Sequence, residues 1–223
     1  NAIWNDQNRF DTWKLIQEKY VETLEQLKIA EAGIAKKIRE AEVSKEEVYK
    51  QEEVTNHDLA SFVDILQKKV GEGSNWIHYG LTSSDIVDSA NSLLILQSIE
   101  IAQELILDLL KELKLKAKEN KDTKIIGRTH GVYAEETFLG NIFGNWYLEI
   151  KRSLDRVERA KVSIAYGKLS GPVGNHTVVT EEMEEITLEK LGLKPEIFAS
   201  QIVSRDRYAC LLYTSDAADD DVR

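Results

Sequence analysis

The chain has 223 residues, 42% of them hydrophobic, enough to bury a core in one large domain or two small ones. Charged residues make up 30% and proline occurs only twice, so with Leu, Ile, Glu, Lys and Ala dominant an all-α fold is expected. A net charge of -10 repels a polyanion, and no stretch concentrates Lys and Arg among aromatics, which argues against a nucleic-acid partner.

From Asp6 to about Ala35, Phe10, Trp13, Leu15, Ile16, Tyr20, Leu24, Leu27 and Ile29 recur at the spacing of an amphipathic helix. Ser44 followed by Glu47 has the pattern of a capping box and predicts a helix start. A further helix is expected from about His57, carrying Leu59, Phe62, Val63 and Leu66 and ending at Gly71 and Gly73. The segment from Asn75 to Thr82 holds Trp76, His78 and Tyr79 and reads as a loop.

Between Ser84 and Glu119 there is neither Gly nor Pro, and apolar residues lie around much of the helical circumference. At about 1.5 Å per residue this predicts a rod of roughly 54 Å. Such a helix is expected to be buried among others, in a long bundle or at a subunit interface. Residues 134–165 are expected to form a second long helix with Phe138, Ile142, Phe143, Trp146, Ile150, Leu154 and Val157 facing inward. The segment joining them, IIGRTHGV, is too interrupted by Gly and too β-branched for simple helix. The Gly-rich GKLSGPVGNHTVV reads as a loop or small hairpin, Thr180 as the cap of a short acidic helix ending at Gly192, and FASQIVSRDRYA as a polar connection into another helix. The domains expected are an N-terminal helical domain over 1–83, the first part of a long-helix bundle over 84–209, and a tail over 210–223.

No apolar run approaches the roughly 20 residues that span a bilayer, and the opening NAIWNDQNRF lacks the blocks of a signal peptide, which predicts a cytoplasmic protein with no membrane partner. The single cysteine, Cys210, excludes an internal disulfide and any Cys-based zinc site.

Taken singly, the candidate site residues have bland explanations: His57 caps a helix, His78 packs beside Trp76 and Tyr79, and Thr82, Ser83 and Ser84 are N-cap material. Together they ask for more, because three of the four histidines fall in short polar segments at the ends of helices that otherwise bury hydrocarbon. NHDLASF, WIHYGLTSSDIVDSA, GRTHGVYAE, GKLSGPVG and SQIVSRDRYA resemble, in order and spacing, segments of the bacterial-type adenylosuccinate lyase family within the fumarase/aspartase superfamily. The resemblance covers nearly all of residues 1–209. TSSD is shared loosely across the superfamily and indicates reaction class; HYGLTSSD together with GRTHGV indicates this member.

The resemblance implies β-elimination of fumarate from a succinylated purine nucleotide or ribotide, without metal or cofactor, in a homotetramer whose active sites are shared between subunits. It implies His130 as the general acid with His57 supporting it, Thr82 and Ser83 on the fumarate-side carboxylate, and Asn56, His57, Asp58, His78 and Gln201 as substrate contacts, His78 on the phosphate side. The chemistry suits these residue types: a carbanion-like intermediate delocalised into a carboxylate is held by hydroxyls and N–H groups at a helix start, and imidazole is a natural proton donor near neutrality. His176 and the glycines of 167–174 are expected to be structural.

Two departures from the family stand near His130: Glu136 where Pro is usual, and Tyr133 where His or Gln is common. By the same resemblance, the signature loop with the serine base and its Lys and Asn is expected beyond the end of this chain, and an Arg-Tyr contact before its start, so the chain by itself is expected to be inactive. CLLYTSDAADD, Cys210 to Asp220, resembles a translated sequencing adapter and is expected to break the helix begun at RDRYA. The rival readings are argininosuccinate lyase, a carboxymuconate-type cycloisomerase, and a non-catalytic helical assembly protein, which would have no reason to gather histidines and hydroxyls at helix ends.

Overall fold

The computed structural model describes residues 2–215, and it is predominantly helical. The first helix, α1 (Asp6–Gln26), is capped by Asn5, whose side chain accepts from the Asn8 N–H at 3.0 Å. It stops well short of the expected Ala35. The N–H groups of Ile29 and Ala30 both turn back to the Leu24 carbonyl, at 2.8 and 3.2 Å, with Lys28 in the left-handed region at φ 59°. This wrap satisfies carbonyls left open at a helix end, here with lysine in the place glycine usually takes.

After α2 (Ile34–Glu40), the expected capping box opens α3 (Lys45–Thr55): Ser44 Oγ accepts from the Glu47 N–H, and Glu47 Oε2 accepts from the Ser44 N–H. Helix α4 (Asp58–Val70) begins at His57 and ends at Gly71, as expected. Then comes the 37-residue α5 (Ser83–Glu119).

The chain packs as two compact units. One comprises the chain up to Gln97 and from Ser163 onward; the other is Ser98–Val162. The division falls inside α5 and not at its start, where the 83/84 boundary was expected, because the first turns of α5 bury Ile86 and Ala90 in the core of the preceding helices, with Leu93 and Leu96 packed against it.

In the first unit α1 packs against α2 and α7 (Glu181–Lys190), and α3 against α4. Phe10, Trp13 and Phe62 form its aromatic centre, with Phe10 stacked on Phe62 at 6.0 Å and Trp13 edge-on to Phe62 at 5.6 Å. Thr180 caps α7 by accepting from the Met183 N–H at 3.3 Å, and Gly192 follows its end at φ 71°. The Gly-rich stretch before α7 is not a hairpin: Tyr166–Gly167 (β3) pairs in parallel with Lys194–Pro195 (β4), so the loop is closed by a strand that returns after the helix. The last helix, α8 (Asp206–Ser215), runs through Cys210 without the break expected there, and residues 216–223 of the expected tail lie outside the described residues.

The second unit contains the distal part of α5, β1 (Lys124–Thr129), β2 (Val132–Phe138) and most of α6 (Leu139–Ile164). Strands β1 and β2 form an antiparallel hairpin, so residues 134–138 are strand where helix was expected. Ala134, Glu135 and Glu136 favour helix individually, but cross-strand pairing from Val132 and Tyr133 onward takes them with it. Helix α6 therefore starts at Leu139 and lies back along α5, where Lys161 Nζ is 3.4 Å from Glu100.

Phe143, Ile150, Leu154 and Val157 are partly buried, whereas Phe138, Ile142 and Trp146, expected to face inward, are exposed. So are Ile101, Leu105 and Leu109 of α5. Among the described residues, no helix is long and apolar enough to cross a membrane.

Candidate active site

Two helix beginnings meet in the first unit. His57 precedes α4 and Ser83 opens α5, and the imidazole Nε2 of His57 lies 3.3 Å from the Ser83 Oγ. The His57 Nδ1 accepts from the Ala60 N–H at 3.4 Å, which leaves the ring proton on Nε2, where it donates to the serine hydroxyl. Asp58 Oδ1 sits 3.3 Å from the same Nδ1 and accepts from the Leu59 N–H at 2.7 Å. Asn56 ends α3 in the left-handed region at φ 52°, a conformation asparagine tolerates, and this sharp turn places His57 at the head of α4. Two helix N-termini thus share one edge, where the Thr82 and Ser83 hydroxyls and the positive end of α5 suit an anion.

Thr82 was expected to combine ligand binding with capping of α5. Its backbone N–H donates to Asp85 Oδ2 at 2.9 Å, and among the described residues no hydrogen bond engages its hydroxyl. This is the reciprocal half of a capping box, and it leaves the Thr82 hydroxyl open at the site edge.

Behind this edge, His78 is held in the left-handed region, at φ 63°, by Gln17 of α1. The His78 N–H donates to Gln17 Oε1 at 2.9 Å, and Gln17 Nε2 donates to His78 Nδ1 at 2.9 Å. Burial, reinforced by the nearby His57 ring, pushes the His78 imidazole down to about 4. His78 is therefore a neutral imidazole with its remaining proton on Nε2.

Beneath Thr82 lies a buried ion pair. Asp85 and Lys168 are each 0% exposed; Lys168 Nζ contacts Asp85 Oδ1 and donates to the Gly171 carbonyl at 2.7 Å. Asp85 Oδ2 also accepts from the Gly171 N–H at 3.1 Å. Burial raises the Asp85 carboxyl, opposed by its bond to Lys168.

The same loop carries the site edge onward. A Cβ on Gly80 would lie 2.4 Å from Val178 Cγ1, and one on Gly174 would lie 2.0 Å from the Ala199 carbonyl, so the Val178 side chain packs on the backbone at residue 80 and the backbone at 174 packs on that at 199. Exposed Gln201 follows on that connection, which is anchored two residues later where the Val203 N–H donates to the buried Asp88 at 2.9 Å. His176 fits the structural role expected of it: its Nδ1 donates to the Val179 carbonyl at 3.1 Å and its Nε2 faces the buried Glu184 at 3.6 Å.

His130 belongs to the second unit. With Gly131 it forms the two-residue tip of the β1-β2 hairpin, between the paired Thr129 and Val132. Both tip residues have positive φ, 52° and 77°, the pattern of a type I′ turn. The tip is exposed, and the cross-strand partners Arg128 and Tyr133 brace it: the guanidinium lies 4.7 Å over the phenol ring and donates to its hydroxyl at 3.1 Å. Glu136, in the usual place of a family proline, bonds Lys124 across the hairpin at 2.9 Å.

The structure thus brings together His57 and Ser83, with Asn56, Asp58, Thr82 and His78 around them, and links Gln201 to them through the Gly-rich loop. Gln17, Asp85 and Lys168 were not anticipated. A lysine among glycines was the one sequence signal for the ion pair; Gln17 carried none. Among the described residues, no group of three or more His, Cys, Asp or Glu is placed to hold a metal ion.

Comparison with known proteins identifies the family. A model of a lyase family matches residues 4–217. The chain is 41% identical over 213 residues to an adenylosuccinate lyase of Thermotoga maritima, covering 95% of this chain and 49% of that protein. It is 40% identical to an adenylosuccinate lyase of Aquifex aeolicus, with coverage of 95% and 49%, and 38% identical to one of Bacillus subtilis, with 96% and 50%. The chain thus spans about half the length of the curated relatives it matches. Similar folds include a fumarate lyase from Mesorhizobium, with a TM-score of 0.88, 20% identity, and coverage of 96% of this chain and 52% of that one. A β-carboxy-cis,cis-muconate cycloisomerase from Acinetobacter calcoaceticus has a TM-score of 0.87, 20% identity and the same coverage. With paired helix starts, a histidine-tipped hairpin and a family match over nearly its whole length, the chain belongs to the lyase family of the fumarase/aspartase superfamily.

Proposed function

We propose that the whole protein is an adenylosuccinate lyase, which eliminates fumarate from adenylosuccinate to leave AMP, and from succinyl-aminoimidazole carboxamide ribotide, in purine biosynthesis. The observation that carries this reading is the contact of His57 with Ser83 where α4 and α5 begin. It makes an anion-binding edge of hydroxyls and N–H groups beside an imidazole, which is what a carboxylate-stabilised elimination requires. The 38–41% identity to proteins named adenylosuccinate lyase supports this member over argininosuccinate lyase, and over a cycloisomerase, for which the likeness is one of fold at 20% identity.

In this reading Ser83 and the Thr82 hydroxyl bind the carboxylate next to the carbon that loses its proton. Negative charge that develops there is met by the N-terminus of α5. His130 protonates the departing nitrogen, and His57 supports that transfer. Asn56, Asp58 and Gln201 contact the substrate, and the Nε2–H of neutral His78 is a donor for the phosphate side. We assign the base to no residue of this chain, and the elimination uses no metal or cofactor.

The site is proposed to be shared within a cytoplasmic homotetramer; the exposed apolar residues of α5 and α6, Leu105 and Val162 each at 66%, support burial by further copies. The test is fumarate release from adenylosuccinate by the full-length protein, with Ser83→Ala lowering kcat/KM about 100-fold, the loss typical of one stabilising donor. Cleavage of argininosuccinate in place of adenylosuccinate would move the protein to the neighbouring member.

A further inference from the structure

The buried charges at Asp85 and Lys168 have no part in the elimination as assigned. Each is fully enclosed, and together they make bonds that run in two directions. Asp85 takes the N–H of Thr82 on one side and of Gly171 on the other, while Lys168 returns a bond to the Gly171 carbonyl. Ser89, one turn further along α5, fixes the lysine's own backbone: its Oγ accepts from the Lys168 N–H at 3.0 Å and donates to the Lys168 carbonyl at 3.1 Å. The first turn of α5 is therefore fastened to the Gly-rich loop by a buried ion pair, within a core that also holds Ile86 and Leu169. Asp85 supplies the reciprocal half of a capping box to the Thr82 N–H, and among the described residues no hydrogen bond engages the Thr82 hydroxyl.

We propose that Asp85 and Lys168 are positioning residues for the carboxylate grip, holding the Thr82–Ser83 turn in its binding geometry from below. This rests on the lyase reading. A pair that only held the fold together would, when replaced, reduce the amount of native protein without favouring one ligand over another. A positioning pair, when replaced, selectively weakens the carboxylate end of the site.

The experiment measures binding of fumarate and of AMP, separately, to full-length protein by ligand-observed NMR. Asp85→Asn with Lys168→Met removes both charges without stranding either one in the interior. The expected result is at least a tenfold loss of fumarate affinity with AMP affinity within twofold. Gly171→Ala strains the backbone that both groups bond, at φ 81°, while leaving both charges in place, and is expected to weaken fumarate about threefold in the same direction; it decides the matter where the double variant does not fold. Equal losses for both ligands, or unchanged fumarate binding, overturn the positioning role. Unmutated protein that binds neither ligand overturns the lyase reading itself.

Discussion

Gln17 grips His78 by two hydrogen bonds, one to its backbone N–H and one to its ring Nδ1, each 2.9 Å long. With the ring driven down to about 4 from 6.5, the folded protein binds fewer protons than the unfolded chain between those two values. Stability therefore rises with pH across that window, and acidification from 6.5 to 4 costs up to about 3 kcal/mol through this group. His78→Asn, which keeps a residue tolerant of positive φ, should flatten that part of the profile in urea unfolding at pH 4.5 and 7. An unchanged slope would mean that His78 is not the group responsible.

The buried ion pair makes a second prediction, on stability and independent of ligand. Lys168→Met strands the Asp85 carboxylate in a dry interior and should cost about 3–5 kcal/mol. Removing both charges, with Asp85→Asn added, should restore much of that loss. Chemical unfolding of the two single variants and the double variant measures the coupling, and additive losses would contradict it.

What could be read from the sequence was local. Ser44 with Glu47, Thr180, Gly71 and Gly192 announce helix ends because a side chain or a missing Cβ acts on backbone within a few residues. The stop of α1 at Lys28 carried no such mark, since lysine is an unusual occupant of the left-handed region. Strand β2 was read as helix because Ala134, Glu135 and Glu136 are helix formers and only pairing with β1 overrules them. The candidate site residues were proposed through family resemblance, which said nothing of their partners: Gln17 meets His78 across 61 positions and Lys168 meets Asp85 across 83, distances over which no spacing rule operates.

At the hairpin, chemistry and turn geometry can be separated. Asparagine followed by glycine is the preferred pair for a type I′ tip, so His130→Asn should leave the β1-β2 hairpin intact. It removes the proposed proton donor, and turnover of the full-length protein should fall about 10²–10⁴-fold. Circular dichroism and steady-state kinetics on the same preparation check both halves. Retained turnover would remove His130 from the acid role.

The apolar faces of α5 and α6 predict assembly. Leu105→Glu together with Val162→Glu places charge where further copies are proposed to bury hydrocarbon, and should lower the mass seen by light scattering below that of a tetramer. A mass unchanged from that of the unmutated protein would show that these faces are not the interface.

The most direct test of the account is the appearance of fumarate when full-length protein meets adenylosuccinate, followed for the unmutated protein beside Ser83→Ala and His57→Ala. The account predicts steady release of fumarate with AMP in equal amount, cut about 100-fold or more by Ser83→Ala and lowered by His57→Ala. Absence of fumarate from the unmutated reaction, or release that neither substitution changes, would contradict it.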